Sequence, residues 1–140
     1  MTANEIINIL KENDVYEGEY PVILTILPIQ GHAYKQYTAC IMTISIEEEI
    51  LHLFPMVGSF KEKYQKGEER HISIKDIELF QFHRYDLFFS KAISLHIKEG
   101  DWFDFDYRFK EKDFKEQKSN LLFIKDKVRE IRSNSIVSRQ

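Results

Sequence analysis

The chain has 140 residues, a hydrophobic share of 43%, one cysteine and a net charge of −3. That length suits one domain with its own core, and a single Cys40 excludes an internal disulfide and points to a reducing cytoplasm. The negative balance gives wholesale nucleic-acid binding no electrostatic basis, no apolar run approaches the roughly 20 residues of a membrane span, and "MTANEIINILKEN" lacks the positive start of an export signal.

Residues 3–13 predict a short amphipathic helix. At 100° per residue Ala3, Ile6, Ile7, Ile9 and Leu10 share one side, and Thr2 with Glu5 has capping-box spacing. "NDVYEGEY" reads as a polar linker. From Tyr20 onward the pattern turns to strands. "PVILTIL" (21–27) lies between two prolines, and "YKQYTACIMTISI" (34–46) and "EILHLF" (49–54) are β-branched and aromatic, with a turn at Glu47–Glu49. Residues 55–70 read as a long polar loop. "HISI" (71–74), "IELFQFHRY" (77–85), "KAISLHI" (91–97) and "WFDFDYRF" (102–109) complete a sheet over 20–109.

A C-terminal helix is expected over 114–132, with Asp113 as N-cap and Glu116 completing a capping box. Phe114, Leu121, Ile124, Val128 and Ile131 form its apolar stripe, and Phe123 falls outside it. Residues 1–132 form the domain and 133–140 a loose tail. Residues 112–140 hold eight Lys/Arg against four Asp/Glu, a net of +4 that leaves −7 on residues 1–111. This basic bias is expected to be a solvated helix face.

"FDFDYRF" (103–109) raises the question of whether Asp104 and Asp106 carry chemistry. A two-residue loop at Glu99-Gly100 would set these aspartates opposite Leu95 and Ile93, among core aliphatics. A three-residue loop, Lys98-Glu99-Gly100, sets Phe103 and Phe105 there instead, with Gly100 in the left-handed position such a hairpin needs. Asp104, Asp106 and Arg108 then share the outer face with Ser94 and His96. A metal site would need more converging ligands than His96 supplies. The five histidines show no ligand spacing, Cys40 reads as a buried structural thiol, "HRYD" (83–86) as a bend, and no nucleophile-elbow or phosphate-loop motif occurs. No catalytic residue, metal ligand or cofactor is expected.

Six or seven antiparallel strands followed by one amphipathic C-terminal helix resemble the bacterial pleckstrin-homology-like (PH-like) and GRAM-type domains. "HISIKDIELFQF" looks like that family's strand–turn–strand segment, "ISLHIKEGDWFDFDYRF" like its glycine-turn hairpin, and "KEQKSNLLFIKDKVREI" like its closing helix. The resemblance covers 20–132 and implies an α+β fold: a curved sheet or partly open barrel of six to seven strands, with a capping helix. It also implies binding rather than catalysis. The inositide-binding lysines of eukaryotic relatives are not carried over, because "LPIQGHAYKQY" offers only Lys35.

The expected function is a cytoplasmic, non-enzymatic module contacting a protein partner or a second copy through Ile6, Ile7, Leu10 and Phe123. The alternative is a peripheral anionic-lipid binder, inserting Met56, Val57 and Phe60 beside Lys61, Lys63 and Lys66, with Lys35 a further anion contact. A third reading is a small-molecule-binding or enzymatic α+β barrel.

Overall fold

The computed structural model describes residues 3–27, 31–34, 36–56, 68–84, 91–98, 100–111 and 113–138. Helix α1 (Ala3–Glu12) leads into strands β1 (Glu19–Ile26), β2 (Ala39–Ser45), β3 (Ile50–Met56) and β4 (Arg70–Ser73). A 3-10 turn (Ile74–Asp76) then leads to β5 (Ile77–Arg84), β6 (Lys91–Ile97) and β7 (Trp102–Tyr107), and helix α2 (Gln117–Ser138) follows. The strands make one antiparallel sheet in the order β4-β3-β2-β1-β7-β6-β5, which does not close into a barrel. The expectation of an α+β fold with six to seven antiparallel strands, a short N-terminal helix and a C-terminal helix is met.

Alternation sends Val22, Leu24, Cys40, Met42, Leu51, Leu53, Ile93, Leu95, Phe103 and Phe105 to the inner face, where α2 adds Leu121, Ile124 and Val128. The β6–β7 register is the three-residue-loop one: Leu95 pairs with Phe103, Ile93 with Phe105 and Ser94 with Asp104. Gly100 has φ +107°, a conformation that glycine adopts without a Cβ clash.

Helix α1 docks on the outer face of the same sheet. Ala3, Ile6, Ile7, Ile9 and Leu10 pack with Ile41, Phe54, Met56 and Phe114. Each larger aliphatic gains about 1.5–3 kcal/mol on full burial, which holds a helix too short to persist alone. The helix stops in a left-handed cap. Asp14 has φ +56°, and the amides of Asp14 and Val15 bond back to the carbonyls of Lys11 and Leu10.

The C-terminal helix differs from expectation at both ends. Asp113 has φ +56° and does not cap, and the helix starts at Gln117. Phe114 leaves the inner stripe and joins the α1 cluster on the opposite face. The helix starts late because the Gln117 side chain is buried between the sheet and the preceding loop. Its amide oxygen accepts from the Ile23 amide at 3.0 Å, and its Nε2 donates to the Ile23 carbonyl at 2.9 Å and the Arg108 carbonyl at 3.0 Å. At the far end residues 133–138, expected to be loose, continue the helix, since no Gly or Pro interrupts them.

Candidate functional site

Two arrangements stand out, one on each side of the sheet. The first is a row of rings where β5 and β7 meet α2. Phe80 and Phe82 are two residues apart on β5, and Tyr107 and Phe109 are two apart at the end of β7, so each pair faces one way. Successive centroids along Phe80, Phe82, Tyr107 and Phe109 lie 5.3, 5.4 and 5.7 Å apart. All four are partly exposed.

Lysines cover this row. Lys91 Nζ stands 3.9 Å and Lys118 Nζ 5.3 Å from the Phe109 centroid, and Lys125 Nζ stands 5.1 Å from Phe82. Lys118 and Lys125 are seven residues apart on α2 and so share a face. A depression beside Phe109 is lined by Lys91, Arg108, Lys110 and Lys118 against one acid, Asp106. A second, beside Phe80, is lined by Lys125, Arg129 and Arg132. The basic C-terminal segment is thus packed over aromatic rings as well as solvated.

The second arrangement is a cluster on the α1 side. His52 on β3 pairs across the ladder with His71 on β4. Their Nδ1 atoms face one another at 2.7 Å, and His52 Nε2 lies 2.7 Å from Ser45 Oγ. Glu17 reaches in from the linker after α1, its Oε2 3.7 Å from His52 Nδ1 and 3.8 Å from His71 Nδ1. The three donor atoms lie within 4.8 Å of one another. His52 is buried, while His71 and Glu17 are open to solvent.

The linker is fixed there by its backbone. Thr43 Oγ1 donates to the Glu17 carbonyl at 2.6 Å. Gly18, at φ +83°, lies so close that a Cβ would meet Thr43 Oγ1 at 2.5 Å and His52 Cδ2 at 2.9 Å. Burial first, then the neighbouring His71, lowers the His52 pKa, with Glu17 opposing, so its neutral form is favoured.

Several other polar groups among the described residues have structural assignments. His32 is buried between the Asp104 carbonyl, 2.7 Å from Nε2, and the Tyr34 amide, which donates to Nδ1 at 2.9 Å. These partners fix the Nε2–H tautomer. Cys40 is fully buried and its thiol pKa is pushed up by desolvation. On the outer face Ser94 Oγ donates to Asp104 Oδ1 at 2.8 Å, and His83 Nε2 lies 2.9 Å from the same Oγ. The serine proton is committed to the carboxylate, so His83 donates to the hydroxyl. A nucleophilic serine needs the reverse, with histidine accepting its proton.

The sequence-predicted contacts fall differently. Ile6, Ile7 and Leu10 are buried in the chain's own α1 cluster, so they do not form a partner surface. Phe123 packs on Tyr20. Met56, expected as a membrane insertion, is instead buried against α1, because the last residue of β3 points to the docked face. Lys35, Val57, Phe60, Lys61, Lys63 and Lys66 lie outside the described residues. The histidine pair matches no local motif because its two rings lie 19 residues apart on two strands. Treating "LHLF" and "RHIS" as one hairpin, with Leu51 opposite Ile72, would have set His52 opposite His71.

Comparison with protein-family models, curated proteins and solved structures finds no match to this chain.

Proposed function

We propose that the chain is a cytoplasmic, non-enzymatic binding module of PH-like type, and that its partner is a protein presenting an acidic segment to the lysine-covered ring row. The seven antiparallel strands, the glycine-turn hairpin and the closing helix support the PH-like part. The order of donors along His83, Ser94 and Asp104 supports the non-enzymatic part. The observation that carries the reading is the seating of Lys91, Lys118 and Lys125 over partly exposed rings, on a chain whose net charge is −3.

Resting on a ring orients an ammonium without using up its hydrogen-bond donors, each such contact being worth about 0.5–1 kcal/mol at an exposed site. Carboxylates entering the flanking depressions would meet cations already placed. The rings would bury apolar parts of the same segment.

The test uses a fluorescent Glu/Asp-rich peptide and the whole chain. Anisotropy should rise on mixing and fall back as salt is added. The double variant Lys91→Glu/Lys118→Glu should abolish the rise while keeping its circular dichroism. Unchanged binding by this variant would overturn the reading. Co-sedimentation with phosphatidylserine vesicles, lost in the same variant and without peptide binding, would replace the protein partner by a lipid surface.

A further inference from the structure

We propose that Glu17, His52 and His71 form a site for a divalent first-row transition ion of the zinc type, which ties the linker after α1 to strands β3 and β4. Two imidazoles and one carboxylate are the donor set that suits Zn²⁺ and its neighbours, and not Ca²⁺ or Mg²⁺, which take oxygen.

The hydrogen-bond pattern is the first reason. Two neutral imidazoles whose Nδ1 atoms face each other at 2.7 Å must place a proton on one of them. If His52 donates through Nε2 to Ser45, its Nδ1 is a bare acceptor and His71 must supply the proton. If Ser45 donates, the roles reverse. A cation between the rings uses both lone pairs at once. Ser45 then accepts from His52 Nε2–H, the outer contact that orients a metal-bound histidine and fixes its tautomer.

Geometry is the second. Donors about 2.0–2.1 Å from a tetrahedral zinc lie about 3.3 Å apart. The carboxylate oxygen, at 3.7 and 3.8 Å from the two nitrogens, needs to close only slightly on both. The nitrogens need to part from 2.7 Å, and His71 can yield because it is an exposed side chain on the edge strand β4. Glu17 is aimed by its own backbone, through the Thr43 hydroxyl and the close approach of Gly18. Three protein donors leave the fourth position to water.

Nearby charge is the third. The depression beside Ser45 and Gly18 is lined by Glu19, Glu47 and Glu48, carboxylates that favour a cation over a bare imidazole pair. The site joins the linker after α1 to strands β3 and β4, so occupancy would secure α1 on its face of the sheet.

The test is titration of tag-free, chelator-stripped protein with ZnCl₂ at pH 7.5, followed by calorimetry and thermal melting. Binding at one ion per chain is expected. At a free zinc level 100 times Kd the unfolding constant should fall about 100-fold, and MgCl₂ should change nothing. Co²⁺ in place of zinc should give the visible absorption of a four-coordinate nitrogen–oxygen site. His71→Ala and Glu17→Gln alter exposed side chains and should leave the fold intact. The first should abolish binding and the second should weaken it at least tenfold. Absence of one-to-one binding in the unaltered chain, or full binding by either variant, overturns the proposal; in the latter case the ion sits elsewhere.

Discussion

The ring of Phe123 on α2 lies on the ring of Tyr20 on β1, with centroids 3.9 Å apart and planes 23° from parallel. Tyr20 is held at φ +57°, inside the irregular stretch between the Glu19 and Val22 pairings with β2. That backbone turn presents the tyrosine to the helix and gives Phe123 a partner off the inner stripe. Phe123→Ser should therefore cost about 1–3 kcal/mol, below the 3–5 of a fully buried phenylalanine because both rings stay partly exposed. Urea unfolding measures it. Light scattering should show unchanged mass, since the contact is internal.

Leu10 is fully buried in the α1 cluster. Leu10→Ala is expected to lose about 2–5 kcal/mol through lost transfer energy and the cavity left behind. Removing residues 1–14 should lower the melting temperature further, because Ile41, Phe54 and Phe114 would be bared. A truncated chain that melts like the full one would refute docking of α1 on its own domain.

Asp104 and Asp106 face outward, and Asn at 104 can still accept from Ser94. Asp104→Asn/Asp106→Asn should shift stability by no more than about ±0.5 kcal/mol. Any zinc-dependent rise in melting temperature should survive in this double variant. A rise that disappears would move the metal site to the hairpin.

Burial lowers the pKa of both His32 and His52, favouring the uncharged rings in the folded chain. The unfolded chain therefore takes up protons first as pH falls. The stability from these rings is present above the ordinary histidine value of about 6.5 and is lost as pH drops through the folded values. Denaturant titrations at pH 7.5, 6.5 and 5.5 should give falling stability, with proton uptake on unfolding. Glu111, whose pKa burial raises, works in the opposite sense. Flat stability across the window would remove the role given to burial.

The hairpin was legible because its alternation left one register that kept aspartate out of the core, and β6 pairs with β7 in that register. Helix α1 was legible because its apolar residues fall on one side. The start of α2 was not. Asp113 and Glu116 have capping-box spacing, yet Gln117 is drawn into bonds with Ile23 and Arg108, partners remote in sequence or outside the helix. Met56 follows an apolar strand that reads equally as the rim of a loop, and only the docking of α1 decides which way it faces. The histidine cluster needs three separate segments placed together, a relation that local spacing does not encode.

Gln117 has a wider consequence for the order of assembly. Strands β1 to β4 pair with chain neighbours, and so do β5 to β7, while the two halves meet through Thr25–Asp106 and Ile26–Phe105. That seam joins residues roughly 80 positions apart, so its closure entropy falls due only after the local ladders have formed. Gln117 bonds to β1 on one side of the seam and to the Arg108 carbonyl, just past β7, on the other. Each meander is then expected to form as a unit, with α2 locking the two together last. Pulsed hydrogen exchange should find the β5–β7 amides protected before that of Leu27, which donates to the Asp104 carbonyl across the seam. Gln117→Leu should speed unfolding more than it slows folding. Simultaneous protection throughout would mean the sheet condenses as one piece.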